Sequence, residues 1–285
     1  MDVQTIAVIG AGIMGSGIAH VAAIAGFRTV LHDLSPELLS KALSSIQNNM
    51  AKSVELGKLK EADMMAALAR LACDDKLENV VQEADLVIEA ISENMEWKVK
   101  LFSRLDHLCG PDTILASNTS ALSLTEMAAV TRRPHQFIGL HFFNPVHVMK
   151  LIEVVRALET NEATVSAMEA VGKRMGKETV VIKEAPGFVT SRINALLGNE
   201  AFYMLETGLA SARDIDKALK LGLNHPMGPF EMVDLVGLDT RLSVLTYLHQ
   251  TLGEKYRPCP LLVKYVKAGR LGRKTGKGVY EYKNP

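Results

Sequence analysis

Short apolar runs separated by helical patterns dominate the first two thirds of the chain. The first run, Thr5–Ile9, has the near-continuous apolar character of a parallel strand buried on both faces. A glycine turn and a helical pattern over residues 14–25 follow it, and residues 29–33 are typical of a second strand. Strand, turn, helix and strand within about 30 residues are the size of one βαβ unit.

Five further apolar runs predict additional strands of the same sheet. They cover residues 86–91, 113–117, 137–141, 151–155 and 179–182, and helical patterns over 97–108 and 162–175 separate several of them. Such alternation predicts a doubly wound, mostly parallel, Rossmann-like α/β domain. A helical pair over residues 36–71, broken near Gly57, is inserted into it.

The pattern changes after Pro186-Gly187. From Phe188 onward the periodicity is helical, apart from one predicted strand over residues 278–282. We therefore predict two domains: residues 1–185 form the α/β domain, with residues 36–71 as a helical arm, and residues 186–285 form an all-α domain.

Charge and cysteine content narrow the class of protein. Lys and Arg together number 32, as do Asp and Glu, so the formal net charge is zero. No long-range field favours binding to nucleic acid or to an anionic membrane. The three cysteines form no CxxC pair and have no histidine at metal spacing, so we expect reduced thiols, no metal site and a cytoplasmic location. The start of the chain has no basic segment of the kind that opens a secretory signal.

Residues 6–27 allow one alternative, a membrane helix, because His20 is their only ionisable side chain. Five glycines interrupt this segment, and four of them lie within residues 10–17. The glycine content favours the soluble interpretation.

The segment Gly10-Ala-Gly12-Ile13-Met14-Gly15 matches the GxGxxG pattern, with a predicted strand before it and a helix after it. Glycines at these positions permit a tight turn, close approach to a pyrophosphate and close helix packing. Asp33, at the end of the next strand, would accept hydrogen bonds from the adenosine ribose hydroxyls and repel a 2′-phosphate. We therefore predict that NAD is the cofactor rather than NADP. FAD and a purely structural glycine turn are the alternatives.

An enzyme that oxidises an alcohol with NAD needs a base for the hydroxyl proton in addition to a site for the cofactor. His141 ends a predicted strand, and Glu153 follows in the next apolar run. Imidazole accepts a proton near neutral pH, and a carboxylate on its other nitrogen would stabilise the imidazolium. Spacing alone does not show contact, and by itself it favours a core histidine and a solvated glutamate.

Polar residues follow two other predicted strands, at the same sheet edge. Ser117-Asn118-Thr119-Ser120 follows one of them, although Ser117 or Asn118 could simply cap the next helix. Glu93 follows the other, and Lys98 lies further along the chain. Lys98 could reach a phosphate or the nicotinamide ribose, or it could be solvated.

Together these motifs resemble the L-3-hydroxyacyl-CoA dehydrogenase family along essentially the whole chain. The resemblance rests on the glycine fingerprint, Ala116-Ser-Asn-Thr-Ser120, His141-Phe-Phe-Asn-Pro145, Pro186-Gly-Phe188 and Gly272-Arg-Lys-Thr-Gly276. The His-Phe-Phe-Asn-Pro run with a glutamate 12 residues after its histidine is specific enough to reverse the interpretation drawn from spacing alone.

The resemblance implies roles for the residues in these motifs. His141 is then the general base, oriented by Glu153, and Ser120 and Asn144 hydrogen-bond substrate oxygens beside the cofactor. Asp33, Glu93 and Lys98 fall at positions that contact NAD in the family, and Lys274 approaches the cofactor from the second domain. Without the resemblance, residues 273–277 would be interpreted as a solvated turn.

The family also implies contacts with the substrate, and at one of these positions this sequence departs from the family pattern. A family asparagine just before Arg192 is Ser191 here, and Asn194 could take its place because it lies on the same helical face. The helical arm implies contacts from Asn49 and Lys52 to coenzyme A, with a solvated helix face as the alternative. The C-terminal domain is expected to form a homodimer.

The expected reaction is NAD-dependent oxidation of an L-3-hydroxyacyl-CoA, with short-chain 3-hydroxybutyryl-CoA as the expected substrate. One rival is a dehydrogenase of a free 3-hydroxy acid. The other is a non-catalytic NAD-binding protein, which would have no need for both His141 and Glu153.

Overall fold

The computed structural model describes residues 2–282. The chain forms two compact units, the first ending at Glu184 and the second beginning at Ala185.

The first unit is built on one eight-stranded sheet. The strands are β1 (Thr5–Ile9), β2 (Arg28–His32), β3 (Leu71–Asp74), β4 (Leu86–Glu89), β5 (Ile114–Ser117), β6 (Phe137–Phe142), β7 (Leu151–Arg156) and β8 (Glu178–Lys183). Their spatial order is β3-β2-β1-β4-β5-β6-β7-β8. All neighbouring strands pair in parallel except β6 and β7, which are antiparallel. The strand order reverses between β1 and β4, and at such a point an open α/β sheet forms a ligand crevice.

Seven helices connect these strands. They are α1 (Ile13–Ile24), α2 (Pro36–Glu55), α3 (Glu61–Arg70), α4 (Leu77–Val81), α5 (Met95–Leu108), α6 (Leu124–Ala129) and α7 (Glu162–Arg174), with a 3-10 turn at Pro134–Gln136. The central strands β4, β5 and β6 are buried throughout, which explains why their sequences are continuous apolar runs rather than alternating ones.

The second unit is helical. Its helices are α8 (Thr190–Glu206), α9 (Ala212–Gly222), α10 (Pro229–Val236), α11 (Leu238–Leu252) and α12 (Pro260–Lys267), with 3-10 turns at Glu254–Tyr256 and Arg273–Thr275. Aromatic rings of α8 and α10 meet in its core, where Phe202 and Phe230 pack edge to face with their centroids 5.2 Å apart.

The predicted fold class is confirmed: a mostly parallel sheet with an inserted helical pair is followed by a helical region. The prediction missed β3 because it extended the second arm helix to Leu71, whereas α3 ends at Arg70 and Leu71 begins the strand. It also missed the short helices α4 and α6, which have too few turns to show a helical period.

The strand predicted over residues 278–282 is wrong. Lys277 makes isolated bridges to Gly272 and Glu281, and no strand forms there within the described part of the chain. The backbone N–H groups of Val279 and Tyr280 donate instead to the carboxylate of Asp234, at 2.8 and 2.9 Å. A buried side chain thus takes the place of a neighbouring strand.

The membrane alternative for residues 6–27 is also wrong. Helix α1 covers only 12 of these residues, and strand β1 contributes others. Within residues 2–282, no helix combines the length and the apolar character needed to cross a membrane.

Candidate active site

A histidine and a carboxylate meet on the antiparallel strands β6 and β7. His141 and Glu153 are directly opposite in the strand register, so their side chains lie on the same face of the sheet. His141 Nδ1 is 2.6 Å from Glu153 Oε2, and both side chains are buried. Because a carboxylate accepts, Nδ1 carries the proton and donates, which leaves the lone pair on Nε2. The ring of Phe143 covers the imidazole at a centroid distance of 4.6 Å.

Ser120 lies on the other side of this imidazole. Its Oγ is 3.2 Å from His141 Nε2, and the residue is half-buried. Ser120 lies in the loop after β5, and β5 pairs in parallel with β6. The carboxyl ends of the two strands therefore meet at the same edge of the sheet, which places Ser120 beside His141 at the end of β6.

Ser117 and Asn118 do not cap the next helix, so that alternative is wrong. Ser117 Oγ donates to Glu89 Oε2 at 2.5 Å, and Asn118 Oδ1 accepts from the backbone N–H of Phe142 at 2.9 Å. Helix α6 is capped by Ser123. Both predicted capping residues instead tie the loop after β5 to neighbouring strands.

The glycine loop joins β1 to α1 and is held by β2. The backbone N–H of Gly10 donates to the carbonyl of His32 at 2.7 Å. The carboxylate of Asp33 accepts from the backbone N–H groups of Ala11, at 2.8 Å, and Ser35, at 3.1 Å. Two carboxylate oxygens offer about four acceptor positions, so Asp33 retains capacity for ribose hydroxyls.

This loop fits a dinucleotide. A Cβ on Gly15 would lie 1.7 Å from the carbonyl oxygen of Gly10, whereas one on Gly12 would meet no protein atom within 4 Å. The second glycine therefore borders open space, where a pyrophosphate could approach. No side chain caps the N-terminus of α1, and its first turn has no acidic residue. Ile13 is exposed and Met14 is half-buried beside these N–H groups.

Lys98 is buried, so the interpretation of this residue as solvated is wrong. Its Nζ is 2.5 Å from Glu89 Oε1 and 3.4 Å from Glu93 Oε2. Glu93 Oε1 also accepts from Thr119 Oγ1 at 2.6 Å and from the backbone N–H of Ser120 at 2.9 Å. The two predicted cofactor residues therefore belong to the hydrogen-bond network that surrounds Ser120.

Asn144 is exposed and precedes a cis peptide bond to Pro145. Both residues line a cleft of about 210 Å³ between helices α1 and α2 and the loop after β6. The stacked rings of His20 and His147, with centroids 5.4 Å apart, also line it. Asn49 lines the cleft from helix α2.

Asn49 and Lys52 line a second, larger cleft of about 640 Å³. It shares His20, Asn49 and His147 with the smaller cleft, so the two adjoin. Three more lysines line it, Lys58, Lys150 and Lys177. In a chain of zero net charge, these lysines are a local concentration of positive charge that suits a phosphate-bearing ligand.

The remaining predicted residues lie in the second unit. Ser191 and Asn194 are in helix α8, and both are half-buried. Lys274 is exposed in a 3-10 turn, with its Nζ 2.7 Å from Asp239 Oδ2. The contacts expected of these three residues with substrate and cofactor stay predictions.

The sequence analysis missed one polar residue of the network, Glu89, and gave no separate role to a second, Thr119. Glu89 is the only ionisable residue in β4, and its pKa is raised because burial disfavours the carboxylate. Thr119 Oγ1 links Glu93 to the backbone N–H groups of Ala121, at 3.3 Å, and Leu122, at 3.0 Å. A charged residue inside an apolar strand, with Lys98 one helical turn into the next helix, was the available signal for the first.

Comparison with known protein families divides the chain as follows. Residues 5–185 match the model described as the NAD binding domain of 3-hydroxyacyl-CoA dehydrogenase. Residues 187–282 match the C-terminal domain of the same enzyme. The predicted resemblance and the predicted cofactor, NAD, are confirmed by these matches.

Individual relatives extend along the whole chain. A probable 3-hydroxybutyryl-CoA dehydrogenase of Bacillus subtilis is 49% identical, covering 99% of this chain and 98% of its own. A 3-hydroxybutyryl-CoA dehydrogenase of Bradyrhizobium diazoefficiens is 46% identical, covering 99% and 96%. The crystal structure of an (S)-3-hydroxybutyryl-CoA dehydrogenase from Ralstonia eutropha is similar, with a TM-score of 0.96 at 44% identity, covering 99% of this chain and 100% of that one.

Proposed function

The chain belongs to the 3-hydroxyacyl-CoA dehydrogenase family, and we propose that it catalyses the reversible, NAD-dependent oxidation of an L-3-hydroxyacyl-CoA to the 3-oxoacyl-CoA. The observation that carries the proposal is the buried contact of His141 with Glu153, with Ser120 on the opposite ring nitrogen. We further propose a short-chain substrate, 3-hydroxybutyryl-CoA, because relatives of that name match along the whole chain.

His141 serves as the general base in this proposal. Its Nε2 takes the proton of the substrate hydroxyl, and the negative charge of Glu153 stabilises the imidazolium that results. Ser120 hydrogen-bonds the same substrate oxygen from its position beside Nε2. Asn144, exposed in the adjoining loop, would orient the thioester.

NAD supplies the redox chemistry when bound, since it accepts the hydride that leaves C3 of the substrate. The backbone N–H groups at the start of α1 would hold the pyrophosphate, and Asp33 would accept from the adenosine ribose. Glu93 and Lys98 would face the nicotinamide end.

Coenzyme A would occupy the two adjoining clefts of the first unit. The smaller cleft begins at Asn144 and leads past His20 and His147 to the larger one. There Lys52 and its neighbouring lysines suit the phosphates, and Asn49 offers an amide to either cleft.

We also propose that the protein is a cytoplasmic homodimer associating through its second unit. Exposed apolar side chains there include Val189, which caps the start of α8, and Ile193, one helical turn later, and they favour association. The three cysteines are free, which suits a reducing compartment.

An absorbance assay for NADH tests the proposed reaction. The purified protein receives NAD with either L-3-hydroxybutyryl-CoA or free L-3-hydroxybutyrate. Turnover of the thioester, at least about a hundredfold above that of the acid, is expected because the binding energy of the coenzyme A moiety contributes to catalysis. Preference for the free acid would favour the rival dehydrogenase. No NADH from either compound, with intact NAD binding, would favour a non-catalytic protein.

A further inference from the structure

Glu89 is a buried carboxylate without a role in the mechanism above. It ends strand β4 and is 0% exposed. An ionised carboxylate removed from water is costly unless it is paired and hydrogen-bonded. The groups that pair with Glu89 therefore indicate its role.

Glu89 is hydrogen-bonded through both of its carboxylate oxygens. Oε1 accepts from Lys98 Nζ at 2.5 Å and from the backbone N–H of Ile91 at 2.7 Å. Oε2 accepts from Ser117 Oγ at 2.5 Å. One side of the carboxylate thus holds a buried lysine, and the other holds the first residue of the segment that ends at Ser120.

Lys98 extends this network to the far end of the same segment. Its Nζ is 3.4 Å from Glu93 Oε2, and Glu93 Oε1 accepts from Thr119 Oγ1 and from the backbone N–H of Ser120. The segment from Ser117 to Ser120 is therefore held at both ends by groups that converge on Glu89.

We propose that Glu89 is a positioning residue that sets Ser120 against the catalytic imidazole. This inference rests on the proposed function, because it assumes that Ser120 acts on the substrate. With a neutral amide at residue 89, Lys98 would have Glu93 as its only carboxylate partner among its described contacts and would draw it away from Thr119 and Ser120. Ser117 would at the same time exchange a charged acceptor for a neutral one.

A purely structural role for Glu89 predicts a different result. Loss of a buried ion pair would then lower stability without acting through Ser120, and its effect on kcat would multiply with that of any Ser120 substitution. A positioning role requires the two effects to overlap, since removal of the Ser120 hydroxyl removes the group that Glu89 positions.

A double-mutant cycle on the full-length protein separates these cases. kcat is measured with NAD and L-3-hydroxybutyryl-CoA for the wild type, Glu89→Gln, Ser120→Ala and the double variant. Glu89→Gln is expected to lower kcat by about 5- to 100-fold, the range in which small misplacements of reacting groups fall. In the Ser120→Ala background the same change is expected to alter kcat by less than about twofold, because the hydroxyl that Glu89 positions is already absent.

Two outcomes would overturn this inference and leave the proposed function intact. In the first, Glu89→Gln turns over as fast as the wild type. In the second, Ser120→Ala is slow by itself, and the reductions of kcat in the two single variants multiply in the double variant. A Ser120→Ala protein that turns over like the wild type would instead contradict the proposed role of Ser120, and the inference with it.

Asp106→Asn is the matched control. Asp106 is also buried and pairs with Arg133 at 2.9 Å, but it lies on helix α5, and within residues 2–282 no hydrogen bond joins its side chain to residues 117–120. This control is expected to lower the melting temperature and leave kcat unchanged. If Glu89→Gln fails to fold, Ser117→Ala removes the direct contact with Glu89, together with the acceptor of the Thr119 backbone N–H at 3.3 Å, and the same overlap with Ser120→Ala is expected.

Discussion

His141 and Glu153 are opposite partners in the one antiparallel strand pair of the sheet, and their side chains meet at 2.6 Å. A shift of the register by one residue would place Glu153 on the other face of the sheet. The catalytic arrangement that we propose therefore depends on how β7 pairs, as well as on the two residues themselves.

Replacement of His141 by glutamine is expected to lower turnover by at least about a hundredfold, as loss of a general base should. The affinity for NAD, measured by calorimetry, is expected to stay unchanged because the glycine loop is untouched. His135→Gln, an exposed histidine of the same unit, is the control. Wild-type turnover of His141→Gln would remove His141 from the mechanism.

Glu153→Gln retains the size of the side chain but removes the charge that stabilises the imidazolium. We expect kcat to fall by about a hundredfold or more, by analogy with neutral substitutions of the acid in catalytic triads. Glu178→Gln, at the exposed start of β8, should behave like the wild type in the same NADH assay. Equal kcat values for the two variants would contradict the role given to Glu153.

Two glycines of the nucleotide loop should respond differently to alanine. Gly12→Ala meets no protein atom within 4 Å, so its melting temperature should match that of the wild type. Its methyl group should nevertheless weaken NAD binding by about tenfold, because it would repel the pyrophosphate sterically and cost about 1.4 kcal/mol of binding free energy. Gly15→Ala, 1.7 Å from the Gly10 carbonyl oxygen, should lose both stability and NAD binding. Unaltered NAD affinity in Gly12→Ala would place the pyrophosphate elsewhere.

His20 should make stability depend on pH. Burial, followed by the nearby His147 and Lys177, lowers the pKa of His20 from 6.5 to about 4. Between these values the unfolded chain binds a proton that the folded chain does not, so stability is lost as the pH falls from 6.5 towards 4. The effect is up to about 3 kcal/mol.

Urea unfolding at pH 7.0 and at pH 4.5 tests this dependence. His20→Gln should lose less stability between the two pH values than the wild type, whereas His107→Gln, an exposed histidine on α5, should lose as much as the wild type. Equal losses in the wild type and His20→Gln would show that other groups are responsible.

Arg241 is buried in the second unit, and its Nε has no hydrogen-bond partner among residues 2–282. Burial alone lowers its pKa to about 10. Arg241→Met should therefore raise the free energy of unfolding by about 1–3 kcal/mol, since it removes a desolvated charge and preserves apolar volume. Arg133→Met removes one of the two arginine partners of the buried Asp106 and leaves Arg132 at 2.7 Å, so it should lower the free energy of unfolding by about 1–3 kcal/mol. A destabilised Arg241→Met would show that the guanidinium has a favourable partner.

Local patterns explain which parts of the fold could be predicted. The continuous apolar run of β1 and the glycines after it could be predicted, because burial on both faces and a tight turn impose requirements on adjacent residues. The four-residue strand β3 could not be predicted, because it directly follows helix α3 and only its pairing with β2 makes it a strand. The same reason accounts for the false strand near Tyr280, whose backbone N–H is held by a distant aspartate.

The doubly wound class, the glycine loop with Asp33 and the family could all be inferred from the order of residues, since each depends on residues that lie close together in the chain or on a recognisable run. The contact of Glu153 with His141, the burial of Lys98 and the link that Glu89 makes between Lys98 and Ser117 became evident from the folded chain alone. These contacts depend on strand register and on the meeting of strand ends, and no local pattern of side chains specifies either.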